Sequence, residues 1–174
     1  MKDATLFRLA GIAALTAGLM RIGSSFLTWD STVAWQELFA TGIDVLLLFG
    51  LMGIYLANRA ALGWLGLGAF VIAETGIGSI IGPDAIAFGV DTYQAGVVAI
   101  SIGLALFAIV MLIRGAGSAV AAFCWILSLA VGLTGGVVGQ PAFGFFLGGI
   151  LFGLGFVAAG LRLALPNNRI EQAS

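Results

Sequence analysis

Three ionisable side chains in apolar surroundings are the residues of this chain best suited to chemistry. Arg21, Asp44 and Glu74 each lie inside a long run of mainly apolar residues. A run of about 20 such residues crosses a hydrocarbon core roughly 30 Å thick. A charge near the middle of a span costs about 2.5–3.5 kcal/mol, so three unpaired charges would approach the whole stability of a small protein, about 5–15 kcal/mol. We therefore expect these groups to be paired or hydrated.

The positions of the three residues predict one polar layer in the outer half of the bilayer. Counted along its span from the outer end, each residue lies about 9–12 Å below the boundary at a rise of 1.5 Å per residue. Arg21 can pair with Asp44 or bridge both acids, and a proton or cation would neutralise the remaining negative charge. Glu74 has the most apolar sequence neighbours and is the favoured protonatable group. Polar residues expected to support the cluster are Ser25, Thr41, Thr75 and Ser79.

The same three residues allow a second interpretation. A buried ion pair can set the register of two helices and do nothing else, although ionisable groups inside a membrane are functional by default. The predicted fourth to sixth spans offer no matching charge, since their core polar residues are Ser101, Cys124, Ser128 and Thr134. Cys124, a lone thiol in an apolar setting, is expected to be inert.

The composition excludes an ordinary water-soluble domain. Of the 174 residues, 61% are hydrophobic and 9% charged, and the mean hydropathy is +1.15. Soluble domains run near 45–50% apolar and about 25% charged. A net charge of −1 without a basic patch excludes nucleic acid as a partner. Without histidine, and with a single cysteine, the chain lacks the usual ligands of haem and zinc, so no cofactor or metal is expected.

Hydropathy predicts an all-α membrane protein with six transmembrane helices in one transmembrane domain covering residues 1–174. Lys2 and Arg8 precede the first apolar run as in a signal peptide, but Arg21 interrupts that run and no clear cleavage site follows. We therefore interpret the run as a retained first span. The six predicted spans are 6–27, 38–57, 61–82, 95–113, 118–139 and 142–165.

The charges outside the spans predict the orientation. Basic residues fall at the two termini, between spans two and three, and between spans four and five. They are Lys2, Arg8, Arg59, Arg114, Arg162 and Arg169. The connections on the opposite side carry Asp30, Glu37, Asp84 and Asp91. The positive-inside rule then places both termini in the cytoplasm and the protein in the cell inner (cytoplasmic) membrane.

The spans also suggest three parallel-related helical hairpins, at about 1–59, 60–116 and 117–174, with a period of about 58 residues. Small residues at GxxxG spacing allow close helix packing in lipid. We expect these glycines to serve internal packing faces rather than dimerisation, and the oligomeric state stays open. The pairs are Gly78/Gly82, Gly132/Gly136, Gly135/Gly139, Gly144/Gly148 and Gly149/Gly153.

These residues fit three functions to different degrees. The favoured one is a multi-pass transport protein that binds or moves a proton or small solute through the polar cluster. The alternative is a non-catalytic membrane subunit or a lipid- or partner-binding scaffold, with membrane lipid and a homo-oligomer or larger membrane complex as partners. An enzyme is the weakest: Asp44 and Glu74 could form a carboxyl dyad, but Arg21 in the same layer would hold both ionised.

Overall fold

The computed structural model describes residues 3–28, 30, 33–82, 86–87 and 89–165. Within this part of the chain five helices dominate. Their bounds are α1 Asp3–Ser24, α2 Ala34–Ile80, α3 Thr92–Arg114, α4 Ala119–Val137 and α5 Pro141–Ala164, and a two-stranded hairpin, β1 Ile86–Ala87 and β2 Val90–Asp91, precedes α3.

All five helices are long and apolar enough to cross a membrane. The predicted all-α class is thus confirmed, and the helices have the length and apolar composition that membrane spans require. The number of helices differs from the prediction, since there are five described helices where six were expected. The difference lies in α2, whose 47 residues contain both the second and the third predicted span. The predicted polar connection near Arg59 is helical rather than a loop.

The helix α2 is interrupted at Gly63, which has φ 59° and ψ −158°. Only glycine adopts this backbone region readily. The rings of Tyr55 and Phe70, on either side of it, stack with their centroids 4.4 Å apart. In one straight helix these residues would be separated by about 22 Å along the axis. The chain therefore reverses at Gly63, giving two antiparallel segments that we name α2a (34–62) and α2b (64–80).

Local signals explain where the other helices begin and end. The Asp91 carboxylate caps α3 by accepting a hydrogen bond from the Gln94 N–H at 3.0 Å, and Gly115 ends it in the left-handed conformation. Ser118 caps α4 through the Ala121 N–H. Pro141 opens α5, where its missing N–H leaves no helical hydrogen bond unmade. These ends lie within three residues of the predicted boundaries.

The helices pack as antiparallel neighbours. In α1 and α2a, Ala10 lies against Gly53 and Ala14 against Gly50. In α2b and α3, Ala73 lies against Gly103. Helices α4 and α5 also run antiparallel, with close contacts between Gly135 and Gly144 and a hydrogen bond of 2.8 Å from the Ser128 hydroxyl to the Gly148 carbonyl.

The first and last helices form a further extensive contact, α1 with α5. A Cβ on Gly160 would lie 2.6 Å from the Gly11 carbonyl oxygen, and one on Gly18 would lie 2.5 Å from the Gly153 carbonyl oxygen. Real Cβ atoms do not approach backbone this closely, so these glycines are needed for the helices to meet. The contact closes the helices into a ring with the start of α1 beside the end of α5.

The centre of the bundle is filled by aromatic side chains. Trp125 is 1% exposed, and Phe107 and Phe156 are fully buried. The Trp125 ring lies 6.3 Å from that of Phe107 and 5.1 Å from that of Phe156, measured between centroids. Helices α3, α4 and α5 therefore share one packed core.

The glycine motifs fall into two groups. Gly135, Gly144 and the α5 glycines Gly149 and Gly153 make close interhelical contacts, as the packing interpretation expects. In contrast, open space surrounds the position that a Cβ would take at Gly78, Gly82, Gly132, Gly136 and Gly139. The close contacts of α2b instead involve glycines outside the predicted pairs, Gly76, Gly96 and Gly103. GxxxG spacing alone therefore did not identify which face of a helix is buried.

Apart from Asp3 at the start of α1, the antiparallel order separates the described charges near the helix ends between the two ends of the bundle. The contacts of Ala10 with Gly53, and of Gly11 with Ala164, bring the start of α1, the end of α2a and the end of α5 to one end. We call it the basic end, because it carries the exposed Arg8, Arg59, Arg114 and Arg162. The opposite, acidic end carries Asp30, Glu37 and Asp91. The other charges used to predict the orientation lie outside the described residues, namely Lys2, Asp84 and Arg169.

Candidate functional site

Arg21 lies in the last turn of α1 and is directed at α5. The backbone of Gly149 leaves room for it, because a Cβ there would lie 2.9 Å from Arg21 Nη2 and 3.2 Å from Cζ. On the side of this contact nearer the acidic end, the rings of Phe26 and Phe146 meet edge to face with centroids 5.3 Å apart. The guanidinium is therefore enclosed between α1 and α5, near the acidic end, rather than exposed to lipid.

The hydrogen bonds of Arg21 are made within its own helix. Nη1 donates to the Ser24 hydroxyl at 2.8 Å, and that hydroxyl donates to the Arg21 carbonyl at 2.8 Å. The Ser25 hydroxyl donates to the same carbonyl at 3.3 Å. Since a guanidinium has five N–H donors, most of its donor capacity is not used by the hydrogen bonds that α1 supplies.

Asp44 occupies the level of Arg21 on the neighbouring helix. The contacts of Gly50 with Ala14 and of Gly53 with Ala10 set the register of α1 and α2a, and this register carries Asp44 to the position opposite Arg21. The two groups interact electrostatically. They do not form a direct ion pair, since no Arg21 nitrogen lies within 4.0 Å of an Asp44 or Glu74 oxygen. The structure thus brings these two predicted residues together without joining them.

Glu74 lies apart from the other two. The stacked rings of Tyr55 and Phe70 mark one common level on α2a and α2b. Counted from this level towards the acidic end, Asp44 lies eleven residues from Tyr55, whereas Glu74 lies only four residues from Phe70. Glu74 is therefore about 10 Å deeper in the bundle at the helical rise per residue. Its interactions include no electrostatic contribution from Arg21 or Asp44. The single layer expected for all three residues is not observed, because the register between α2a and α2b differs from the one that equal spans would give.

The Glu74 carboxyl has an unusual environment. It is half-buried on α2b, and its Oε1 atom is buried without a hydrogen-bond partner among the described residues. The residue one turn away, Phe70, contacts Tyr55 of α2a through its ring. Glu74 therefore lies on a part of α2b that flanks the α2a–α2b contact.

The predicted supporting residues serve their own helices. Thr41 and Ser79 donate their hydroxyl protons to the carbonyls of Glu37 and Gly76, at 2.9 and 2.8 Å. Thr75 is exposed on the surface of α2b, and Ser25 bonds the Arg21 carbonyl rather than the guanidinium. Ser24, three residues from Arg21 and outside the predicted supporting set, has the hydroxyl that accepts the hydrogen bond from the guanidinium.

Tyr93 is a further residue near the site, outside the predicted cluster. It lies in the first turn of α3, 47% exposed, and interacts electrostatically with Arg21. The sequence distance of 72 positions gave no signal for this proximity. It follows from the ring arrangement, which brings the start of α3 to the same end of the bundle as the end of α1.

Comparisons with known proteins leave the function to be argued from the fold and these residues. The sequence matches no protein-family model, and no match was found among curated proteins or solved structures. Within the described residues, no group of three or more His, Cys, Asp or Glu side chains is arranged to hold a metal ion. Fold and composition together define the class, an α-helical bundle compatible with a multi-pass membrane protein.

Proposed function

We propose that this chain is a multi-pass protein of the inner membrane that binds or moves a proton or small solute through Arg21, Asp44 and Glu74. In this proposal α2a and α2b cross the membrane separately, which gives six crossings. The basic end of the bundle faces the cytoplasm, in keeping with the positive-inside rule. Both termini are then cytoplasmic, because the start of α1 lies beside the end of α5.

The observation that carries the proposal is the buried, unpartnered Oε1 atom of Glu74. An ionised carboxylate in this position would bear a desolvation cost with no opposite charge among the described residues in contact to offset it. The same carboxyl can be held there as the neutral acid, which is a proton-binding site. A glutamate kept only for packing would be more stable as glutamine or leucine, so its presence favours a role for the ionisable group.

Arg21 and Asp44 support the proposal from a different level. A structural ion pair would be closed, whereas these two groups interact without a contact within 4.0 Å. In this proposal, water or a small polar solute bridges the two groups, accepting hydrogen bonds from the guanidinium and donating them to the carboxylate. We place the entry from the acidic end here, with Glu74 about 10 Å deeper as the next proton-binding group.

The test is proton flux in proteoliposomes that hold a pH-sensitive dye, driven by an imposed membrane potential. Glu74→Gln keeps the shape and polarity of the side chain but cannot bind and release a proton, so we expect its flux to fall to that of protein-free liposomes. Asp44→Asn and Arg21→Met should reduce the flux. Glu37→Gln is the matched control, because it removes a carboxylate from the first turn of α2a, the segment that also carries Asp44.

The scaffold alternative predicts a different result. If Glu74→Gln, Asp44→Asn and Arg21→Met all fold and conduct protons as the unmodified protein does, the transport proposal is wrong. The same measurement repeated with candidate solutes separates proton movement from solute movement. A stable partner protein in gentle detergent extracts, together with unchanged flux in all three variants, would favour the scaffold.

A further inference from the structure

A pocket opens at the basic end of the bundle, away from the residues discussed above. Its volume is about 140 Å³, close to that of an engineered protein cavity that holds benzene, about 150 Å³. Three parts of the chain form it: the end of α2a, the turn before α4 and the last turns of α5. Its walls are apolar, with Ile54, Ala159 and Leu163 among them.

The polar side chains that line the pocket can each donate hydrogen bonds. Arg162 is an exposed guanidinium in the last turn of α5. Asn58 uses one amide N–H on the Ile54 carbonyl at 2.8 Å, which leaves its second N–H available. Ser118 accepts a hydrogen bond from the Ala121 N–H, so its own proton remains free to be donated. None of the described residues that line the pocket carries a carboxylate.

We propose that this pocket binds a phosphate group, with Arg162, Asn58 and Ser118 as its donors. A guanidinium matches the oxygens of a phosphate group in a two-pronged, charge-assisted geometry. The apolar walls suit the carbon atoms of a phosphate ester, and the position at the end of the bundle is the level of lipid headgroups. The proposal is independent of proton movement, and it holds for either orientation because both leaflets carry phospholipid.

The experiment uses the full chain in a neutral detergent and follows the thermal unfolding midpoint. Three additions are compared: phosphatidylglycerol, diacylglycerol with the same acyl chains, and inorganic phosphate. We expect phosphatidylglycerol to raise the midpoint and diacylglycerol to leave it unchanged. Arg162→Gln should weaken the apparent affinity roughly tenfold, as expected for the loss of a charge-assisted hydrogen bond.

Two variants separate the pocket from general charge attraction. Arg114→Gln removes an exposed arginine at the same end that does not line the pocket, and it should respond to the lipid as the unmodified protein does. Asn58→Leu keeps every charge but removes an amide donor from the pocket, and it should weaken binding. For each variant, the unfolding midpoint is first measured without additions. The apparent affinity is then obtained from the shift relative to that variant's own midpoint.

The outcomes decide the proposal and the source of the phosphate. It is overturned if no addition stabilises the protein, if Arg162→Gln and Arg114→Gln respond alike, or if Asn58→Leu binds as tightly as the unmodified protein. An Arg162-dependent shift with inorganic phosphate and none with lipid would support a phosphate site that takes the free ion. The reverse result would support a phospholipid headgroup.

Discussion

Among single residues, Arg21 and Glu74 illustrate two ways of placing an ionisable group in an apolar bundle. Arg21 is enclosed by a neighbouring helix that has glycine at the contact, and it interacts with Asp44 and Tyr93 at long range. Glu74 has a buried carboxyl oxygen without a hydrogen-bond partner among the described residues. Arg21 is thus hydrogen-bonded within its own helix, whereas this oxygen of Glu74 is not.

Trp125 supports a prediction about the core at this same scale. Its side chain is 1% exposed and packs between two phenylalanine rings. We expect Trp125→Ala to lower the free energy of unfolding by about 3–5 kcal/mol, because it leaves a cavity that helices α3 to α5 cannot close completely. Denaturant titration of the purified protein in mild detergent measures this change.

Trp64 is the matched control for that substitution. It is 87% exposed, so Trp64→Ala should change the free energy of unfolding by no more than about 0.5 kcal/mol. Equal losses for the two variants would show that Trp125 is not at the centre of the folded protein.

The elements of this fold depend on one backbone reversal inside a continuous helical stretch. Arg59 and its neighbours remain helical, and Gly63 alone takes the conformation that turns the chain. The stacked rings of Tyr55 and Phe70 then fix the two segments against each other. Because a single glycine reverses the chain, no polar loop is needed between α2a and α2b. This explains why the two segments are separated by so few residues.

A substitution at Gly63 tests this element directly. No described atom lies within 4 Å of the position that a Cβ would take there, so the only cost of Gly63→Ala is the backbone conformation. We expect a loss of about 1–3 kcal/mol in the free energy of unfolding, measured by the same denaturant titration.

Gly68 provides the comparison within the same helix. It also has open space where a Cβ would be, but its backbone is helical. Gly68→Ala should therefore stabilise the protein, by roughly 0.5–1 kcal/mol. If Gly63→Ala is also stabilising, the chain does not reverse at this residue.

For the whole molecule, the ring of antiparallel helices collects the exposed arginines Arg8, Arg59, Arg114 and Arg162 at one end, and Asp30, Glu37 and Asp91 at the other. The close contact of α1 with α5 brings the start of the first helix and the end of the last helix to the basic end. A membrane protein with this distribution has a defined orientation under the positive-inside rule. The phosphate pocket and the polar residues of the proposed pathway then lie at opposite ends of the bundle.

Labelling of introduced cysteines tests the orientation and the number of crossings. In a Cys124→Ala background, Ala60→Cys places a thiol at the basic end and Gln94→Cys places one at the acidic end, both at exposed positions. A maleimide that cannot cross the membrane should label Gln94→Cys in intact cells. It should label Ala60→Cys only after the cells are opened.

Two other labelling patterns would contradict the proposed topology. Labelling of Ala60→Cys but not Gln94→Cys in intact cells would reverse the orientation. Labelling of both would mean that α2b and its following loop do not cross the membrane as proposed. Protein opened with detergent, where both thiols should react, is the control for thiol reactivity.

The sequence by itself determined the class of fold and the approximate positions of the helices. Long apolar runs must form helices in lipid, because every backbone polar group needs a partner within its own segment. Capping residues such as Asp91 and Ser118, and the proline at position 141, act over a few neighbouring residues and so mark helix ends locally. The separation of basic from acidic connections could likewise be deduced from position along the chain.

Only the tertiary structure decided which residues meet. Counting from span ends placed Arg21, Asp44 and Glu74 at one depth, but depth depends on the register between helices, and the contact of Tyr55 with Phe70 shifts Glu74 away from the other two. The proximity of Tyr93 to Arg21 and the seam between α1 and α5 join residues far apart in the chain. Such contacts arise from close packing of small residues over whole helix faces, which no local pattern in the sequence specifies.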